Sequence, residues 1–148
     1  MDDSRPPRLL IVEDEPGDAY LMKVALQKSG YAVDLHEAGD GGEALRFLLP
    51  EGGQSAVTLR PDLILLDLKM PGQSGLEFLE TLKRDAHLRA IPVVIVTTST
   101  LDADVLAAYR CGAAGYVPKP ADINEFIAAI HRLCRYWFSL VRLPENPA

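Results

Sequence analysis

Short apolar segments alternate five times along the chain with longer segments in which apolar residues recur at helical spacing. Apolar runs of this kind are typical of strands that are buried on both faces of a parallel sheet. The predicted strands are Leu9–Val12, Tyr31–Glu37, Leu63–Leu66, Ile91–Val96 and Ala114–Val117, of which the second alternates weakly between apolar and polar residues.

Capping residues mark where the helices between these strands begin. Ser74 is followed three residues later by Glu77, which is the pattern of a capping box. Pro16 suits the first turn of a helix, because a proline there loses no helical hydrogen bond. The predicted helices run from Pro16 to Ser29, Asp40 to Leu49, Ser74 to Arg84, Leu101 to Arg110 and Asp122 to about Leu140, with a longer loop at 50–61. The alternation predicts an α/β fold, in which helices cover both faces of a parallel sheet.

The length and composition of the chain indicate one globular domain. Its 148 residues are 48% hydrophobic and 24% charged, which is ordinary for a protein with a substantial core. The longest apolar runs are far shorter than a membrane span, and residues 1–7 lack a signal-peptide pattern, so a cytoplasmic protein is expected. The net charge of −6, without a basic patch, argues against a nucleic-acid partner.

Polar residues whose side chains can bind ligands or take part in reactions follow four of the five predicted strands. Glu13 and Asp14 follow the first strand, Asp67 the third, Thr97 the fourth and Lys119 the fifth. The carboxyl ends of parallel strands lie along one edge of the sheet, and ligands bind where the strand order reverses. In the order 2-1-3-4-5 this point lies between the first and third strands, so these side chains are expected to converge on one crevice.

Carboxylates, an amine and a hydroxyl in one crevice suit phosphoryl transfer to a carboxylate. Three carboxylates offer the oxygen ligands that Mg²⁺ prefers, and they repel one another until a cation binds. One of them can act as the nucleophile toward phosphorus, while Lys119 and Thr97 hold the other phosphoryl oxygens. Taken alone, residues 13–15 are also explained as a solvated helix start, since acids favour helix N-termini.

These motifs together resemble the receiver domains of bacterial two-component response regulators. The motifs are Glu13-Asp14, Asp67 followed by KMPGQSG, Thr97, and Lys119-Pro120, and the resemblance spans roughly residues 8–133. It implies a flavodoxin-like (βα)5 doubly wound parallel sheet in the order 2-1-3-4-5. It also implies a phosphoacceptor that assists its own phosphorylation and dephosphorylation, rather than an enzyme, with a sensor histidine kinase as partner.

The resemblance implies a magnesium site and a phosphoacceptor. Asp67 is expected to accept the phosphoryl group and also to bind Mg²⁺. The other implied ligands are Asp14, Glu13 (directly or through water) and the backbone carbonyl of Lys69. Many receivers have two aspartates where this chain has Glu13-Asp14, and the longer side chain of Glu13 affects the metal distance rather than the chemistry.

The resemblance also implies a conformational switch. Thr97 is expected to bind the phosphoryl group in the active state, and Lys119 to pair with that group. Tyr116 matches the aromatic residue that turns inward when the threonine moves. The bond between Lys119 and Pro120 is expected to be cis, which would shape the loop and direct the amine.

The last predicted helix is longer than the sheet requires and ends in an apolar tail. At 1.5 Å per residue, a helix that ends near Leu140 reaches roughly 30 Å. Exposed on a monomer, the tail would form an apolar patch, so it is expected to form a homodimer interface. The interface residues proposed from the pattern are Tyr136, Trp137, Phe138, Val141 and Leu143. The alternative is a tail that folds back on its own domain.

The predicted organisation has three parts: a disordered segment at 1–7, the receiver domain at 8–134 and the C-terminal apolar extension at 135–148. The extension, with aromatic residues before LVRLP, resembles the small single-domain regulators that are paired with bacterial phytochromes. A bacteriophytochrome is therefore the kinase that the resemblance implies.

Other functions remain as alternatives. An aspartate-nucleophile phosphatase commonly carries a second aspartate two residues after the nucleophile, where this chain has Lys69. A flavodoxin-like cofactor carrier would need a first loop rich in serine, threonine and glycine, whereas acids at 13–15 repel a phosphate. A phosphate-shuttling intermediate that works with a histidine phosphotransfer protein, and a receiver-like scaffold that is not phosphorylated, both stay open.

Overall fold

The structure, a computed structural model, describes residues 5–49, 60–70, 72 and 74–145. Strands and helices alternate along this part of the chain. They are β1 Arg8–Val12, α1 Pro16–Lys28, β2 Asp34–Ala38, α2 Gly41–Leu48, β3 Leu63–Leu66, α3 Gly75–Arg84, β4 Val93–Thr97, α4 Asp102–Arg110, β5 Gly115–Pro118 and α5 Ile123–Arg135. A π-helical segment, Tyr136–Leu140, continues α5 directly. Residues 1–4 of the predicted disordered segment, and 50–59 of the predicted loop, lie outside the described residues.

The strands form one parallel sheet in the order β2-β1-β3-β4-β5, which confirms the predicted order. The register aligns the carboxyl ends of the central strands. Val12 lies opposite both Ala38 and Leu66, and Leu66 lies opposite Ile95. Because every strand points the same way, the residues that follow the strands lie along one edge of the sheet.

Alternate residues of each central strand enter two hydrophobic cores, one on each face of the sheet. In β1, Leu10 and Val12 face the core beneath α2, α3 and α4, whereas Leu9 and Ile11 face the core beneath α1 and α5. All four side chains are at most 1% exposed. A strand that fills two cores needs apolar residues at every position, which is why β1 shows no alternation of polar and apolar residues.

Some strands begin later than predicted. β2 begins at Asp34 rather than at Tyr31, because it is an edge strand and its partner β1 begins at Arg8, opposite Asp34. Tyr31 instead packs against the core beneath α1 and α5. β4 and β5 likewise begin later than predicted, at Val93 and Gly115.

Part of the tail folds back on its own domain, which was one of the two predicted alternatives, and the homodimer stays a prediction. Trp137 and Phe138 pack against the core beneath α1 and α5, and the ring centroid of Phe138 lies 6.3 Å from that of Tyr31. Tyr136 and Leu140 remain 47% and 74% exposed. Val141 and Leu143 are half-buried. Even with this extension, no helix in the described part of the chain is both long and apolar enough to cross a membrane.

The start of α3 is fixed against the backbone that follows β3. The predicted capping box is present, since Ser74 and Glu77 each accept a hydrogen bond from the other's backbone N–H through their side chains. A Cβ on Gly75 would lie 2.4 Å from the backbone oxygen of Asp67 and 2.7 Å from the Cα of Leu68. Only glycine allows so close an approach, which holds the loop that carries Asp67 against the helix.

Replacing Gly75 with alanine should lower the free energy of unfolding by about 2–3 kcal/mol, because the new methyl group overlaps backbone atoms. Denaturation in urea measures the change. Gly42→Ala is the matched control, since Gly42 is also in the first turn of a helix and its Cβ would meet only side-chain atoms, of Asp40 at 3.4 Å and of Arg46 at 3.6 Å. Equal stability of the two variants would show that the contact at Gly75 is relieved by a small shift.

Candidate functional site

The strand ends bring the predicted polar residues to one edge of the sheet. Glu13 follows β1, Asp67 follows β3, Thr97 ends β4 and Lys119 follows β5. Sheet-like hydrogen bonds continue into this region. The N–H of Asp67 donates to the carbonyl of Val12 at 3.0 Å, and the N–H of Lys119 donates to the carbonyl of Thr97 at 2.7 Å. These bonds fix the points at which the two side chains leave the backbone.

The ammonium of Lys119 contacts three carboxylates at the centre of the site. Its Nζ lies 2.6 Å from Oε1 of Glu13, 2.7 Å from Oδ2 of Asp18 and 3.4 Å from Oδ2 of Asp67. The Lys119 side chain is only 5% exposed, so water competes little for these contacts. An ammonium has three hydrogens, so these carboxylates account for its whole donor capacity, and the longest contact goes to Asp67.

Glu13, Asp14 and Asp67 form a cluster that fits a divalent cation. Each offers a carboxylate oxygen, and these oxygens lie within 4.8 Å of one another. Glu13 and Asp67 are 5% and 6% exposed, whereas Asp14 is exposed. Oxygen ligands suit hard cations such as Mg²⁺ and Mn²⁺. The N–H of Lys69 donates to Oδ1 of Asp67 at 3.2 Å, so Lys69 adjoins the cluster, and ligation by its carbonyl stays a prediction.

The burial of these charges shifts the pKa values of two groups. Burial and, to a smaller extent, the nearby Asp67 raise the pKa of Glu13, the hydrogen bond from Lys119 lowers it, and the net result is a pKa of about 7. Burial lowers the pKa of Lys119, but its hydrogen bonds to Asp18 and Glu13 outweigh this effect, and the net direction is upward. Lys119 therefore stays charged and offsets the repulsion among the acids around it.

Thr97 has a buried hydroxyl group. The residue is fully buried, and its Oγ1 has no hydrogen-bond partner among the residues that the structure describes. A buried polar atom without a partner is costly and uncommon, and a ligand is one way to supply the partner. This environment agrees with the phosphoryl-binding role predicted for Thr97.

Two hydrogen bonds at Ser99 hold the loop that follows β4. The hydroxyl of Tyr116, a half-buried residue of β5, donates to the backbone carbonyl of Ser99 at 3.0 Å. The hydroxyl of Ser99 donates to the carboxylate of Asp104, in the first turn of α4. The predicted switch residue Tyr116 is thereby linked to the loop just beyond Thr97 and to the start of α4.

The prediction of a cis bond between Lys119 and Pro120 is wrong, since the structure has this bond in the trans form. The trans isomer is the favoured form of a bond before proline by about 0.5–1 kcal/mol. The Lys119 amine nevertheless reaches Glu13 and Asp18, because the sheet-like hydrogen bond to Thr97 carries its backbone to the edge of the site.

Asp18 is a site residue that the sequence pattern did not identify. It lies in the first turn of α1, the helix that follows β1, and its carboxylate contacts Lys119. An acid at this position is ordinarily explained by the favourable interaction of negative charge with a helix N-terminus. The sequence feature that could have identified Asp18 was its position one turn beyond Glu13 and Asp14, at the same edge of the sheet.

Comparison with known proteins identifies the family. The model of the response regulator receiver domain matches residues 9–131. The chain is 35% identical over 144 residues to the response regulator Rcp1 of Synechocystis sp., and the match covers 97% of both chains.

Solved structures give the same result. The chain resembles the phosphorylated cyanobacterial phytochrome response regulator RcpA with a TM-score of 0.88 and 33% identity, over 95% of this chain and 100% of that chain. It resembles the Mn²⁺-bound form of Rcp1 with a TM-score of 0.86 and 34% identity, also over 95% of this chain and 100% of the other. The predicted likeness to phytochrome-associated regulators is thus confirmed, and the chain belongs to the response regulator receiver domain family.

Proposed function

We propose that the chain is a phosphorylation-controlled signalling switch in which Asp67 accepts a phosphoryl group from a sensor histidine kinase. The observation that carries the proposal is the buried carboxylate of Asp67, which lies beside the ammonium of Lys119 and clusters with the carboxylates of Glu13 and Asp14. A receiver domain is a phosphoacceptor rather than an enzyme in the usual sense, and its family implies a histidine kinase as the partner.

The three clustered carboxylates would hold a Mg²⁺ ion, with the backbone carbonyl of Lys69 as a further ligand. Their mutual spacing and their oxygen chemistry fit this ion. The relative Rcp1 has a Mn²⁺-bound form, and Mn²⁺ shares the preference for carboxylate and water ligands. An ion bound there would neutralise part of the negative charge that accumulates when a phosphoryl group meets a carboxylate.

The residues of the chain perform the transfer itself. A bond forms between a carboxylate oxygen of Asp67 and phosphorus as the bond between phosphorus and the kinase histidine nitrogen breaks. The ammonium of Lys119 donates to one phosphoryl oxygen, and its positive charge offsets the charge on the group. The hydroxyl of Thr97 donates to another phosphoryl oxygen and so gains the partner that it lacks among the described residues.

Thr97 would transmit the effect of phosphorylation to the surface of the domain. The loop beyond it is tied to Tyr116 and to the first turn of α4 through Ser99. A shift of Thr97 toward the phosphoryl group would therefore pull on the loop that these two hydrogen bonds hold, and would displace the start of α4. Partners that bind α4, β5 or α5 would then distinguish the two states.

A phytochrome is the kinase that we favour for this chain. The support is the likeness to RcpA, which is a cyanobacterial phytochrome response regulator. We place the switch in the cytoplasm, the compartment that is typical of response regulators and that supplies ATP to the kinase.

The exposed part of the tail would form a homodimer contact. Tyr136 and Leu140 are 47% and 74% exposed, although aromatic and leucine side chains are usually buried. The two residues line a shallow cavity of about 320 Å³ together with Arg132, Arg135 and Ser139. Trp137 and Phe138 are engaged with the chain's own core, so they would contribute only their remaining exposed area.

Asp67→Asn should abolish phosphorylation, because an amide lacks the anionic oxygen that attacks phosphorus. Intact-mass spectrometry after incubation with acetyl phosphate and Mg²⁺ should detect one added phosphoryl group on the wild type and none on the variant. Chelation of Mg²⁺ should remove the adduct from the wild type. Asp102→Asn, an exposed acid of α4, is the control and should be phosphorylated normally. A wild type that never forms the adduct would support the scaffold instead.

Thr97→Val should leave the unphosphorylated protein as stable as the wild type, or more stable by about 1 kcal/mol, because it removes a buried hydroxyl that has no partner. The same variant should lose part of the stabilisation that phosphorylation brings. Urea denaturation with and without the phosphodonor measures both effects. Thr98→Val, at an exposed neighbouring position, should change neither quantity. Marked destabilisation of unphosphorylated Thr97→Val would contradict the assignment.

Leu140→Glu should weaken the dimer by about tenfold or more, because the contact would then bury a charged side chain, which must lose its water, in place of an apolar one. Sedimentation equilibrium measures the dissociation constant. This variant is preferable to truncation after Arg135, which would also remove Trp137 and Phe138 from the core. Leu101→Glu changes a leucine of similar exposure, 65%, elsewhere on the surface and serves as the control. An unchanged dissociation constant for Leu140→Glu would exclude the tail as the interface.

A further inference from the structure

Asp18 lies outside the set of residues that the receiver motifs assign to the site, yet it makes one of the two shortest contacts of Lys119. Its Oδ2 is 2.7 Å from Nζ, compared with 3.4 Å for Oδ2 of Asp67. The contact joins the first turn of α1 to the residue that follows β5, 101 positions later in the chain. We propose that Asp18 is a positioning residue that holds the ammonium of Lys119 in place for phosphoryl transfer to Asp67, an inference that rests on the proposed function.

The geometry of the ammonium explains how Asp18 acts. Two short contacts, to Glu13 and Asp18, engage two of the three hydrogens on Nζ and so direct the third toward Asp67. Without Asp18, the ammonium has two buried carboxylates left, and it closes the 3.4 Å gap to Asp67. A tighter ion pair there withdraws negative charge from the nucleophile and moves the ammonium away from the space that an incoming phosphoryl group must enter.

Asp18 also differs from Glu13 in what a cation does to it. The oxygens of Glu13, Asp14 and Asp67 lie within 4.8 Å of one another, and Asp18 is not a member of this cluster. A cation held by the cluster would compete with Lys119 for Glu13, and Asp18, which is outside the cluster, would remain available to accept from the ammonium. Asp18 is 30% exposed, so its charge is only partly desolvated. Asp18 is thus the carboxylate that keeps its contact with Lys119 when a cation occupies the site.

A simpler role for Asp18 is stabilisation of the N-terminus of α1, where an acid interacts favourably with the helix dipole. Glu15 separates the two roles. It lies at the same helix terminus, and its side chain accepts a hydrogen bond from the N–H of Gly17 at 3.0 Å. Glu15→Gln removes the same charge from the same turn and keeps an oxygen that can accept this bond. Any effect of charge on the helix alone should be shared by Glu15→Gln and Asp18→Asn.

The experiment compares the phosphorylation rates of the wild type, Asp18→Asn and Glu15→Gln at several acetyl phosphate concentrations with saturating Mg²⁺. The maximal rate of Asp18→Asn should fall by about five- to tenfold, the effect of losing one charge-assisted hydrogen bond from a positioned group. Its half-saturating donor concentration should change less, and Glu15→Gln should match the wild type. In a Lys119→Met background, Asp18→Asn should have no further effect, because Asp18 acts through Lys119.

Urea denaturation of each variant shows that it is folded under the assay conditions. Equal rates for Asp18→Asn and Glu15→Gln would overturn the inference, and so would a full effect of Asp18→Asn in the Lys119→Met background. Failure of the proposed function is recognised differently, by a wild type that gains no more phosphoryl adduct than Asp67→Asn. That result would overturn both proposals, whereas a normal wild type with an unaffected Asp18→Asn overturns only this one.

Discussion

The pairing of one buried ammonium with several carboxylates is the interaction on which the site depends. Unit charges of like sign about 4 Å apart repel by roughly 4 kcal/mol at the dielectric of a protein surface. Glu13 and Asp67 are nearly fully buried, so water screens them little. Lys119 lies between them and Asp18 and stays charged, with its pKa raised by its partners. The acids that follow β1 are therefore tolerated because Lys119, 106 positions beyond Glu13 in the chain, balances their charge.

The parallel sheet makes this balance possible. The central strands β1, β3 and β4 are apolar from Leu9, Leu63 and Val93 onward and fill two cores, so the next polar residue of each falls at the strand end. The aligned register then places those ends side by side, with Glu13 after β1 and Asp67 after β3. The close approach of Gly75 to the backbone of Asp67 holds the loop that carries Asp67 against α3. Packing of the cores thus determines the geometry of the charges.

The features that follow from local pattern were predictable, and those that depend on distant contacts were not. The alternation of strands and helices, the capping box at Ser74 and the residues at the strand ends follow from periodicity and from the rule for open sheets, and the strand order follows from the resemblance to receiver domains. The contact of Asp18 with Lys119 joins positions far apart in the chain, so no local pattern encodes it. The tail is intermediate: its apolar content was evident, but only the tertiary structure determines that Trp137 and Phe138 turn toward the core while Leu140 does not.

The charge balance of the site also explains why phosphorylation should act as a switch rather than as a passive mark. The three hydrogens of Lys119 already point to three carboxylates, so the ammonium can donate to a phosphoryl oxygen only by giving up one of these contacts. A phosphoryl group on Asp67 therefore competes with existing partners and needs both a cation and a new donor. Thr97 is the neighbouring residue whose buried hydroxyl has no partner in the described part of the chain. The new charge thus attracts the hydroxyl of Thr97, and the loop that follows Thr97 is bonded through Ser99 to Tyr116 and α4. Movement at the surface therefore follows from the need to stabilise the added charge within the site.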